Sequence, residues 1–161
     1  MSQPEGTGLP APGSFSMIVL ARLAGCSAAG RELTAAASVL GLRWPLALAA
    51  TLAGLSDPLT AIDDAAAAGL VTVEHGVTGP IGVFTHPLVR AAVYTELSLS
   101  RRAELHRRAA ELAEDRRDAL RHRIEAAPGA DAQLTAAAAQ LADRDAAAGS
   151  WAASARGYLW A

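Results

Sequence analysis

The chain has 161 residues, of which 52% are hydrophobic and only 4% aromatic, and its formal charge is −2. That is enough apolar material for one or two small domains with a core, and the balanced charge gives no global field to attract nucleic acid or an anionic membrane. All fourteen basic residues are arginine; without a lysine, neither a Walker A loop nor a Schiff-base amine can be built from these residues. With alanine abundant and large anchors few, helix is the favoured class.

Residues 1–13 are rich in Pro, Gly and Ser and show no periodicity, so a disordered N-terminus is expected there. From Ser14, Phe15, Ile18, Val19 and Leu23 share one helical face and Gly25 ends the run. Ser27 caps a second helix that turns Leu33, Ala36, Ala37 and Leu40 inward and stops at Gly41. Trp44-Pro45 opens a third helix through Ala53, with proline in the first turn and Gly54 as the stop. Ser56 or Asp57 caps a fourth, with Pro58 in its first turn, Leu59 and Ile62 buried, and Gly69 at its end.

The texture then changes. Leu70 to His75 and Ile81 to Thr85 read as two strands joined by Gly76-Val77-Thr78-Gly79-Pro80. Short helices followed by one hairpin is the order of a winged-helix domain, with the hairpin as the wing. Beyond it, His86-Pro87 starts a helix to about Thr95, and Ser98 or Ser100 starts another reaching Glu114. Further helical runs cover Asp118 to Ala127, Asp131 to Ala148 and Ser150 to Ala161. The expected fold is mainly α: a winged-helix-like domain over residues 14–97, followed by a helical, repeat-like extension over 98–161.

Several candidate sites take a plain structural reading. Leu23-Ala24-Gly25-Cys26 spells a lipobox, but Glu5 precedes it without a cation and Arg22 interrupts the apolar run, so Cys26 reads as a buried helical cysteine. A lone cysteine leaves no internal disulfide, and the cytoplasm is the expected location. No stretch approaches the ~20 apolar residues needed to span a bilayer. Gly25-Cys26-Ser27-Ala28-Ala29 has the look of a nucleophile elbow but lies between helices. His75, His86, His106 and His122 lack short ligand spacing, and no metal site is expected. Arg101, Arg102, Arg107, Arg108, Arg116, Arg117, Arg121 and Arg123 alternate with Glu104, Glu111, Glu114, Asp115 and Asp118, as on a solvated, salt-bridged helix face.

Phe84-Thr85-His86-Pro87-Leu88-Val89-Arg90-Ala91-Ala92-Val93-Tyr94 resembles a signature of the large ATP-binding regulators of the LuxR family. Leu33 to Gly41, Ala65 to Val71 and Ser100 to Ala113 extend the resemblance on both sides. It implies a module between an N-terminal signal-transduction ATPase and a C-terminal DNA-binding helix-turn-helix, continuing into tetratricopeptide-like repeats, so the chain is expected to be a fragment or a shortened relative. ATP or ADP would belong to the full-length family, with no cofactor held here and no enzyme activity.

The resemblance further implies nucleotide sensing by His86 and Arg90 if a phosphate loop is supplied from elsewhere, because a histidine at this point of related ATPases lies against the β-phosphate of ADP. An imidazole beside free backbone donors at a helix start suits an anion, although Thr85 and Pro87 depart from the Met and Asp of the related plant motif. The candidate DNA-reading helix, Pro58 to Ala68, carries Asp63 and Asp64 and no arginine, so DNA binding by this chain alone is not expected. Stand-alone winged-helix DNA binding is the alternative. Trp151, Tyr158, Leu159 and Trp160 at the C-terminus form an unpartnered apolar face, expected to meet a protein partner or a second copy.

Overall fold

The computed structural model describes residues 12–150, so the apolar face expected of Trp151, Tyr158, Leu159 and Trp160 lies outside the described residues. Among the described residues eight helices and three strands follow in the order α1 (Pro12–Gly25), α2 (Ala28–Leu40), β1 (Arg43–Pro45), α3 (Leu46–Ala53), α4 (Leu59–Ala67), β2 (Val71–Gly76), β3 (Gly79–Phe84), α5 (Pro87–Glu96), α6 (Leu99–Leu112), α7 (Arg116–Ala126) and α8 (Ala132–Ala147). The chain divides into two compact units, residues 1–96 and 97–161. None of the described helices is long and apolar enough to cross a membrane.

The first unit is mainly helical with one small antiparallel sheet of strand order β1-β3-β2. From α2 onward its elements run helix, strand, helix, helix, strand, strand, which together with that strand order is the winged-helix arrangement. Two expectations are corrected. Arg43–Pro45 is a strand and not the start of a helix: Trp44 lies opposite Gly82 across β1 and β3, and α3 begins only at Leu46. Pro45 is tolerated because this strand is at the sheet edge, where a missing N–H breaks no ladder. The first helix starts at Pro12, two residues before the expected boundary, with proline again in the first turn, where the lost donor costs nothing.

Local chemistry sets the helix ends. Ser27 Oγ accepts the Gly30 N–H at 3.1 Å, Ser98 Oγ accepts from Arg101, and Asp115 and Asp131 cap α7 and α8 in the same way. Each such cap stabilises its helix by about 1 kcal/mol. Gly54 closes α3 in the left-handed region, at φ 74°, while Leu55 N–H reaches back to the Ala50 carbonyl at 2.9 Å.

The core gathers Leu33, Trp44, Leu46, Ile62, Leu70, Val71, Phe84 and Val93, with alanines from α2, α3 and α4 allowing close helix approach. Trp44 is the largest of these and is 1% exposed. Its six-membered ring lies directly over Gly82, where any Cβ would stand 2.2 Å from a ring atom, so β3 must be glycine at that point. Burying each large apolar side chain contributes roughly 1.5–3 kcal/mol. Leu59, expected inside, is instead 60% exposed at the first position of α4.

In the second unit α6 and α7 pack closely and α8 follows α7. The salt-bridge patterning appears as Glu104–Arg107 at 2.7 Å and Asp118–Arg121 at 3.8 Å along single helices, and as Arg117–Asp145 between α7 and α8.

Candidate functional site

In the first unit a groove of about 900 Å³ lies between α1 and α5. Phe15, Ile18 and Val19 form one wall and Leu88, Val89 and Ala92 the other, with Arg22, Thr85 and His86 among its polar lining. Its apolar lining is open to solvent: Ile18 is 53% and Leu88 55% exposed. Ile18 was expected on a buried face; it points into this groove, because α1 is covered by α5 along only part of its apolar stripe. The Phe15 ring meets His86 edge-on at a centroid distance of 6.3 Å.

His86 precedes α5, and its Nδ1 accepts the Leu88 N–H at 3.1 Å. An amide can only donate, so the proton of the neutral ring sits on Nε2. Pro87 has no N–H, and the N–H groups of Val89 and Arg90 both reach the His86 carbonyl, at 2.9 and 3.3 Å. The free backbone donors expected at this helix start are therefore engaged within the turn, and His86 serves as the cap of α5. Arg90 is turned away from the groove: its Nε donates to the Ser38 carbonyl at 2.8 Å and its guanidinium lies 5.6 Å from the Tyr94 ring centre, tying α5 to α2. The structure does not bring His86 and Arg90 together around a common point.

The two aspartates of α4 separate in role. Asp63 faces solvent, whereas Asp64 Oδ2 accepts the Ser27 N–H at 2.6 Å at the start of α2. Hydrogen bonds from Ser27, with Arg31 nearby, hold the Asp64 carboxyl below its ordinary range against the opposing effect of desolvation. Cys26 is buried beside this cap; desolvation and the Asp64 charge push its thiol up, only partly offset by Arg31. A thiol held protonated is a poor nucleophile; Ser27 acts as the expected helix cap, while Cys26 is buried as expected but lies in the bend after α1 and not in a helix.

One pairing was not visible in the sequence. His106 on α6 and His122 on α7 are buried, at 2% and 3% exposure, with their Nδ1 atoms 2.8 Å apart. An Arg121 guanidinium nitrogen lies 2.9 Å from His122 Nε2 and can only donate. His122 Nε2 is thus an acceptor, its proton is on Nδ1, and that proton is donated to His106 Nδ1. Desolvation first, then the charge of Arg121 and the neighbouring His106, lower the His122 pKa to about 3. Sixteen residues and an interhelical turn separate the two histidines, so no ligand spacing links them. The available signal was His106 falling within the buried stripe of Leu105, Ala109 and Ala110. Among the described residues no group of three or more His, Cys, Asp or Glu is placed to hold a metal ion.

Comparison with family models, curated proteins and solved structures yields no match for this chain.

Proposed function

We propose that this chain is a non-catalytic coupling and interaction module of a LuxR-type ATP-dependent regulator. The block from Phe84 to Tyr94 supports the family reading. The observation that carries the interaction role is the character of the exposed surface of the first unit: an open apolar groove between α1 and α5, and no cation on α4 or at the tip of the β2–β3 wing. Contiguous apolar surface of this kind marks contact with another macromolecule, while duplex affinity rests on neutralised phosphates. In the intact architecture the module would pass the nucleotide state of an ATPase to a DNA-binding end through helix contacts, with ATP or ADP held by the ATPase.

A direct test is the reading frame that encodes the chain. A phosphate loop upstream and a helix-turn-helix downstream, both in frame, are the expected result; their absence from the frame overturns the family reading. Calorimetry with ADP on the full chain tests the non-catalytic part, with no heat expected, since the backbone donors at the start of α5 are engaged within the turn and Arg90 is tied to Ser38. The second reading, a stand-alone winged-helix DNA binder, is favoured by the strand order β1-β3-β2 and opposed by the acidic α4.

A further inference from the structure

A second concavity lies within the other unit, between α7 and α8, with a volume of about 260 Å³. Arg116, Leu120 and Arg123 line it from α7, at i, i+4 and i+7, and Gln140, Leu141 and Arg144 from α8. The Arg117–Asp145 ion pair sets the register, joining the start of α7 to the end of α8. The helices are therefore antiparallel, and Arg116 and Arg144 share one end of the cleft. Arg123, seven residues further along α7, stands about 10 Å away towards the other end, with Gln140 between.

Among the described residues the three arginines differ from Arg117 and Arg121 in having no paired counter-charge. Arg117 is paired with Asp145 and Arg121 with Asp118, but among the described residues Arg116, Arg123 and Arg144 make no ion pair or side-chain hydrogen bond, and neither Asp nor Glu lines the cleft. Single exposed arginines are ordinary on any surface. Three that converge on one concavity repel one another, and an anion seated among them would relieve that repulsion. Guanidinium forks match phosphoryl oxygens bidentately, and Gln140 adds an amide donor. Leu120 and Leu141 form an apolar floor, and the volume lies below that of drug-sized sites, so the occupant is small.

We propose that the α7–α8 cleft binds a small diphosphate anion, one phosphoryl group between Arg116 and Arg144 and the second at Arg123. The anion could be inorganic pyrophosphate or a bisphosphate ester on a short carbon skeleton; the two share this chemistry and differ in their use of the leucine floor. The site is independent of the groove between α1 and α5.

Calorimetry on the full chain at physiological ionic strength, with pyrophosphate, a sugar bisphosphate and orthophosphate as probes, tests the assignment. Saturable binding of at least one diphosphate, about tenfold tighter than orthophosphate, is expected, since each charge-assisted pair contributes on that scale. Arg116→Gln and Arg144→Gln each weaken it about tenfold, Arg123→Gln reduces the diphosphate to the orthophosphate level, and Arg107→Gln, removed from the cleft and paired with Glu104, leaves it unchanged. Preference for the sugar bisphosphate assigns a role to the floor, and preference for pyrophosphate removes it. Because the three arginines make no ion pair or side-chain hydrogen bond among the described residues, the variants retain the far-ultraviolet circular dichroism of the wild type. Absence of heat with both diphosphates, or undiminished binding in the triple variant that combines Arg116→Gln, Arg123→Gln and Arg144→Gln, overturns the proposal. So does a DNA duplex that binds and is lost in the triple variant while neither diphosphate binds, an outcome that assigns the cleft to nucleic acid.

Discussion

Acidification between pH 6.5 and about 4.5 is expected to weaken the α6–α7 pair specifically through His122. In the unfolded chain this imidazole takes up a proton near its ordinary value of 6.5, whereas in the folded protein it does so only near 3. Between those values the unfolded state binds the extra proton, so stability is complete above 6.5 and is lost progressively as the pH falls, by at most about 1.4 kcal/mol per pH unit. The whole window sets an upper bound of roughly 5 kcal/mol. Relaxation of the surroundings around the new charge absorbs part of this, leaving about 2–3 kcal/mol in all and about 1–2 kcal/mol by pH 4.5. The physical event is the arrival of a buried cation on His122 Nε2, which expels the Arg121 hydrogen bond. Denaturant unfolding of the full chain, followed by circular dichroism at stepped pH, measures the loss, and hydrogen exchange of α6 and α7 amides locates it. His122→Gln should flatten the pH dependence in this window. An unchanged slope in that variant, or a His122 ring-proton resonance titrating with a midpoint near 6.5, refutes the reasoning.

Three further outcomes follow from the first unit. Gly82→Ala places a methyl 2.2–2.6 Å from three Trp44 ring atoms, and the forced shift of that ring should cost about 2–3 kcal/mol in thermal or denaturant unfolding. Asp64→Ala frees the Ser27 N–H and should lower Tm at neutral pH. Because the folded carboxyl is held below 3.8, its contribution is present above 3.8 and fades as the pH drops further, so wild type and variant should converge in strong acid. Ile18→Asp, at the open groove, should reduce binding of a hydrophobic fluorescent dye while changing stability by no more than about 0.5 kcal/mol; a large fall in Tm would place Ile18 in the core instead.

The punctuation of the sequence carried most of the first unit. Ser27 and Gly54 act at helix ends because a cap needs only neighbouring backbone, and the alternation around Gly76 to Gly79 defines a hairpin by local chemistry alone. β1 escaped because three residues are too few for a period, and Trp44-Pro45 satisfies a first-turn helix pattern equally well; only pairing with β3, forty residues away in sequence, makes it a strand. Leu59 and Ile18 were misplaced for a related reason, since periodicity identifies a stripe but not where its covering partner ends. The candidate sites were less legible. His86 was identifiable as a helix-start residue, but that Pro87 and the turn itself would leave no free backbone donor there depended on the fold. Nothing in the spacing of His106 and His122, or of Arg116, Arg123 and Arg144, reveals that they converge, because each set is assembled by antiparallel helices whose register is fixed by packing and by the Arg117–Asp145 pair.

The account rests on the first unit presenting an apolar contact face and no cationic groove reader, and DNA binding by the full chain tests this most directly. Fluorescence anisotropy of a labelled duplex, titrated at increasing salt, should show no saturable binding that depends on α4 or the wing. Salt-sensitive binding with a slope corresponding to several released counterions, abolished by Thr60→Asp on α4 or Thr78→Asp at the wing tip, would contradict it.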